Sequence, residues 1–200
     1  EFRTVRNILM KSNPKSLLIT SLFEGEGKTF VGGNILKLIS NSGKTAVVID
    51  INAEGKISRK LLSTASGNGI VDCLISDISV DSVIRQSSMK NISIITPGTE
   101  TGIMQEALAN EKLQTILNAL KEKFDVVVFI SGGVESNMTL PIVSDMVDKT
   151  LLVLRSNQLA KPYLKFYKLL KPQLNEDKMM VVVNGIKDYK IGCIKTLIKR

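Results

Sequence analysis

Ser16-Leu17-Leu18-Ile19-Thr20, followed at once by Ser21-Leu22-Phe23-Glu24-Gly25-Glu26-Gly27-Lys28-Thr29, decides the fold of this chain. The first five residues read as a short buried strand, and Lys28 to Ser42 reads as a helix. Strand, glycine-rich turn and helix in that order form the context a phosphate loop requires. Backbone N–H groups at the helix start can surround a phosphate while the Lys28 ammonium neutralises its charge. Gly25, Glu26, Gly27, Lys28 and Thr29 are therefore candidate nucleotide-binding residues, with ATP or ADP as the ligand. The Thr29 hydroxyl is a candidate magnesium ligand. Glu24 and Glu26 bring the wrong charge to an anion site. The strict pattern also asks for glycine where this chain has Leu22. The alternative reading is a strand-to-helix turn with an incidental lysine.

Outward from the loop, apolar runs recur at Thr45–Asp50, Ile92–Thr96, Val126–Ile130, Thr150–Arg155 and Met179–Asn184. Their near-continuous Val, Ile and Leu content is that of strands buried on both faces. Helical patterns lie between them, near Ile70–Ser76, Val80–Gln86, Ile103–Lys123 and Lys161–Leu174. The alternation predicts an α/β fold of three layers around a mainly parallel central sheet, built as a single domain over residues 1–200. Ligands of such sheets bind at the carboxyl ends of strands, where the loop sits. Ala53 to Asn68 is the least regular stretch and reads as a loop.

An apolar fraction of 44% excludes a disordered chain. The apolar runs reach only about five residues, far below the ~20 that span a bilayer. The chain opens at Glu1 without methionine and is read as a piece of a longer, membrane-associated protein. Its net charge of +8 favours anionic partners, among them nucleotide and acidic lipid. With no tryptophan and thin aromatic interleaving, nucleic acid is a poor match. Histidine is absent, which excludes His-based triads and His-bound metals. Cys73 and Cys193 stand far apart with no metal spacing.

Asp50 closes the second strand and is placed to hold magnesium or to accept a proton, or else to cap the loop that follows. Asn52 has the shape of a second carboxylate without the charge. The strand Asp125–Ile130 ends in Ser131-Gly132-Gly133, without the magnesium-linked aspartate expected at such a strand end.

The order of these segments resembles the cytoplasmic domain of bacterial tyrosine kinases that work with polysaccharide co-polymerases, relatives of the MinD/ParA-type P-loop ATPases. The similarity runs through Ser12–Ser16 before the first strand, Gly67–Leu74, Glu106–Asp125 and Asn184 after Val181-Val182-Val183. It implies a P-loop NTPase fold, a residue near the base at Asn184, and location at the cytoplasmic face of the bacterial inner membrane. It also implies self-association through Phe2–Arg6, where Arg3 and Arg6 match the family's arginines.

The chain departs from that pattern at the chemistry. The paired aspartates of the family's second motif appear as Asp50 and Asn52, and its third-motif aspartate aligns with Ile130. Thr139 stands where another aspartate is usual, Glu24 replaces a proline, and Tyr163, Tyr167 and Tyr189 do not make a tyrosine-rich tail. The expectation is a degenerate kinase-like module that supports polysaccharide polymerisation and export, with weak nucleotide binding and doubtful magnesium. An active tyrosine autokinase and a MinD/ParA-type ATPase are the alternatives. Lys161, Lys165 and Lys168 on one helix, and the basic stretch Lys187 to Arg200, are candidate contacts for anionic lipid or read as solvated faces.

Overall fold

A computed structural model describes residues 12–63, 66–134, 139–156, 167–168 and 175–186. Its strands are β1 (Ser16–Ser21), β2 (Ala46–Ile51), β3 (Arg85–Gln86), β4 (Ile92–Ile95), β5 (Val126–Gly133), β6 (Lys149–Arg155) and β7 (Met179–Asn184). They form one sheet in the order β3-β4-β2-β5-β1-β6-β7. All neighbours run parallel except the short edge pair β3–β4. β1, β2 and β5 are buried along their whole length, as central strands covered on both faces must be.

The helices are α1 (Lys28–Asn41), α2 (Lys56–Leu61), α3 (Ile70–Ile75), α4 (Val80–Val83), α5 (Met104–Leu108), α6 (Lys112–Lys123) and α7 (Thr139–Met146). Alternation along the strands sorts the core into two layers. Leu17, Ile19, Val48, Val128 and Ile130 join Val31, Ile35 and Ile39 of α1 and Ile57 and Leu61 of α2. Leu18, Val47, Ile49, Val127 and Phe129 join Leu74 of α3, Leu108 of α5, Leu113 and Leu117 of α6, and Val143 of α7. The three-layer α/β architecture follows from a period of two in the strands meeting apolar stripes on helices from both sides.

Four boundaries differ from the sequence reading. The loop foreseen from Ala53 to Asn68 contains α2, whose mostly polar sequence offers only Ile57 and Leu61 as apolar positions. The single helix foreseen over Ile103–Lys123 is broken at Asn110. That residue's side chain accepts from the Lys112 amide at 2.9 Å, while its carbonyl accepts from the Leu113 amide at 3.0 Å. It ends one helix and starts the next. The helix foreseen over Val80–Gln86 stops at Val83, and Arg85–Gln86 pairs instead with the sheet edge. α7 lies where the sequence reading placed no element; its Pro141 sits in the first turn, where the missing N–H costs no helical bond. The Lys161–Leu174 helix, the Phe2–Arg6 segment and the Lys187–Arg200 stretch fall outside the described residues, apart from Tyr167 and Lys168.

Candidate functional site

β1 delivers the chain to the carboxyl edge of the sheet, and residues 22–27 turn it into α1. Gly25 and Gly27 lie at φ 78° and 98°, the left-handed region glycine enters without strain. No side chain caps α1 and its first turn carries no acid, so its leading N–H groups face the loop. Successive amides turned inward this way form an anion-binding concavity.

Lys28 is 5% exposed. Its ammonium donates to Ser21 Oγ at 2.8 Å and to the Phe23 carbonyl at 3.4 Å. The Glu24 carboxylate lies 3.4 Å from Lys28 and 3.0 Å from Lys56. Burial pushes the Lys28 pKa down, opposed by its attraction to Glu24 and Glu26. Glu24 Oε1 also accepts from the Gly133 amide at the end of β5. For Glu24, burial alone would raise the pKa; the Gly133 amide and the two lysines outweigh it and hold the group ionised.

The rest of the loop is fastened from β6 and β7. Glu26 is buried, and its carboxylate accepts from the Phe23 amide at 2.8 Å and the Arg155 amide at 3.1 Å. Burial pushes its pKa up despite those bonds. Arg155 donates from its guanidinium to the Gly25 carbonyl at 2.9 Å. Asn184 donates from Nδ2 to the Glu26 carbonyl at 3.0 Å. The structure thus places Gly25, Glu26, Gly27, Lys28 and Asn184 together, with Thr29 in the first turn of α1. The carboxylate of Glu26 points away from a ligand and into the fold.

Asp50 stands two strands away from β1, its backbone paired with Ile130. It is fully buried. One oxygen accepts from the Ser58 amide at 2.9 Å and the Ser58 hydroxyl at 2.6 Å, and the other from the Asn52 amide at 3.1 Å. The carboxylate therefore holds the start of α2 to the end of β2. Burial raises its pKa, partly offset by the Ser58 bonds. Asn52 in turn accepts from the Glu54 amide at 3.0 Å, shaping the same turn. Ile130 packs into the apolar layer beneath α1 with Ile19 and Val31.

A magnesium centre takes oxygen ligands, usually one or two carboxylates beside the nucleotide's phosphates. Among the described residues, no group of three or more acidic, Cys or His side chains is arranged to hold a metal. Both Asp50 oxygens are already engaged, and Ile130 offers no ligand. The candidate magnesium ligands are therefore Thr29, in the first turn of α1, and Asp50, whose carboxylate already accepts from Ser58 and Asn52.

Ser21, Lys56, Gly133 and Arg155 escaped the sequence reading. Each closes or follows the carboxyl end of a strand, and a parallel sheet gathers those ends on one edge. That placement was the available signal.

Fold and loop together define a domain of the P-loop NTPase fold. No protein-family model matches the chain. Its relatives are bacterial tyrosine kinases. It is 25% identical over 147 residues to a putative tyrosine-protein kinase in the cps region of Klebsiella pneumoniae, covering 74% of this chain and 20% of that protein. It is 23% identical over 188 residues to the putative tyrosine-protein kinase CapB of Staphylococcus aureus, covering 92% of this chain and 82% of that protein. The chain thus spans a fifth of the first relative's length and most of the second's. Among solved structures, the kinase domain of the Escherichia coli tyrosine kinase ETK superposes with a TM-score of 0.80 at 21% identity, covering 96% of this chain and 76% of that one. The septum site-determining protein MinD of Pyrococcus horikoshii, complexed with Mg-ADP, superposes at 0.66 and 18% identity, covering 84% and 68%.

Proposed function

We propose that this chain is a nucleotide-binding, tyrosine-kinase-like domain of bacterial polysaccharide assembly whose phosphoryl-transfer power is very low. One contrast carries the reading. The buried Lys28 sits at an uncapped helix start, as phosphate binding requires, while the position expected to carry the magnesium-linked aspartate is the apolar Ile130. Losing one preorganised charge-stabilising group costs roughly 10²–10³ in rate. Here Asn52 and Ile130 both replace carboxylates.

In this reading the domain binds ATP or ADP weakly through Lys28 and the amides of Gly25 to Thr29, with Asn184 at the base side. Asp50 keeps its bonds to Ser58 and takes no metal. The domain works as an assembly or regulatory module on the cytoplasmic face of the inner membrane. Its partners are its own copies, through Arg3 and Arg6, and the membrane-spanning polysaccharide co-polymerase. The net charge of +8 favours an anionic lipid neighbour.

A second reading, an active tyrosine autokinase, has one observation in its favour. Glu24 puts a carboxylate 3.4 Å from Lys28, where it can replace a lost charge. Titrating ADP and ATP against the wild type and Lys28→Ala tests the binding half of the proposal. Loss of the ammonium is expected to weaken binding by about 1.5–3 kcal/mol, the range of a charged hydrogen bond. An unchanged affinity would place the ligand elsewhere.

A further inference from the structure

Glu24 holds the phosphate loop in an unusual state: the loop's own carboxylate occupies an anion-binding position. One Glu24 oxygen accepts from the Gly133 amide, and the other faces Lys28 at 3.4 Å and Lys56 at 3.0 Å. These donors come from three separate elements: the tail of β5, the start of α1 and the start of α2. The outer phosphates of a nucleotide in a loop of this kind draw on the loop lysine, and inward-facing amides bind anions, so Glu24 sits on donors that a terminal phosphate would use. Space is short as well. A β carbon on Gly133 would lie 2.8 Å from the Glu24 amide nitrogen, and one on Gly132 would lie 3.2 Å from Glu24 Oε1. The β5 tail therefore rests directly on the loop, and Glu24 fills the ground between them.

We infer that Glu24 is a built-in stand-in for the terminal phosphate of a nucleoside triphosphate, so that this site selects nucleoside diphosphates. The inference rests on the reading of the Lys28 loop as a nucleotide site. A diphosphate reaches the loop amides and Lys28 while Glu24 keeps its contacts with Gly133 and Lys56. A triphosphate brings further negative charge against Glu24 and must expel the carboxylate first. With the side chain 33% exposed, outward rotation is open to it, but it then leaves the Gly133 amide and Lys56. Like charges brought together are a strong means of rejecting a ligand.

The test is a titration of ADP and of a non-hydrolysable ATP analogue, in buffers with and without magnesium, against wild type, Glu24→Gln, Glu24→Ala and Lys28→Ala. Folding of each variant is checked by circular dichroism. The wild type is expected to bind the diphosphate about tenfold or more tightly over the triphosphate. Both Glu24 variants should narrow that ratio by tightening the triphosphate. A ratio unchanged in both, with Lys28→Ala still weakening both ligands, overturns the role of Glu24 and leaves the nucleotide site standing. Affinities that do not respond to Lys28→Ala, or no binding in any variant, overturn the nucleotide site itself and the inference with it.

Discussion

Ile130 closes over Gly32: its Cδ1 lies 2.9 Å from where a β carbon on that glycine would stand. The contact locks the middle of β5 to the first turns of α1, directly behind the phosphate loop. Replacing the side chain with a carboxylate puts an unpaired charge into an apolar layer. Ile130→Asp should therefore lower stability by roughly 3 kcal/mol or more, through desolvation and lost packing. Ile130→Val should cost only about 0.5–1.5 kcal/mol. Urea denaturation of the two variants separates them; equal small losses would mean the site is wet enough to accept an acid.

Gly27 is needed twice, for its positive φ and for the space that Asn184 fills. A β carbon there would lie 2.1 Å from Asn184 Nδ2. Gly27→Ala should cost about 1–2 kcal/mol for the backbone alone, and more for the clash. Asn184→Ala should cost about 0.5–1.5 kcal/mol, the worth of its bond to Glu26. The double variant should lose less than the sum, since truncating Asn184 relieves the clash. Strict additivity in denaturation experiments would show that the two do not touch.

Asp72 sets a pH dependence of known sign. Its carboxylate accepts from the Gly69 amide at 2.8 Å and the Thr99 amide at 3.0 Å, and from the Thr99 hydroxyl. Burial opposes ionisation, yet these bonds outweigh it and hold the pKa below the usual aspartate value. A depressed folded pKa contributes stability that is full above the unfolded value, about 4, and is lost as pH falls through the folded one. Asp72→Asn should flatten the stability–pH profile in that acid range and leave weaker acceptors for the two amides. Denaturation midpoints measured across the range check this. A profile unchanged in the variant would assign the acid loss to other groups, such as Asp148, whose pKa is also held low, against burial, by the Ser16 and Lys15 amides and Lys121.

Arg3 and Arg6 are proposed to reach acids on neighbouring copies. Exposed ion pairs contribute only ~0–1 kcal/mol each, so the contact should be weak in an isolated domain. Tethering many copies at a membrane raises their effective concentration and recovers assembly. Arg3→Glu with Arg6→Glu in the full-length protein should reduce oligomer size and polymer output. Unchanged oligomers with intact folding would remove this segment from the interface.

The central strands β1, β2 and β5 were legible because they are buried on both faces and therefore spelled largely in Val, Ile and Leu, whereas the edge strand β3 was not. Two helical features were not: α2 is mostly polar with only Ile57 and Leu61 apolar, and Asn110 divides a segment whose apolar period continues across it. At the site, glycines and Lys28 announced themselves through local spacing. Lys56, Gly133 and Arg155 did not, because their meeting with Glu24 and the loop depends on which strand ends the sheet gathers together. Asp50 shows the other limit. Its position at a strand end invites a chemical role, and only the fold reveals Ser58 and Asn52 bound to both its oxygens.

The central claim is that nucleotide binding has outlived phosphoryl transfer. Its most direct test follows binding of ATP and release or transfer of its terminal phosphate in one sample, with and without magnesium. The account predicts saturable binding that depends on Lys28, little response to magnesium, and turnover at background. Robust magnesium-dependent autophosphorylation, abolished by Lys28→Met, would contradict it.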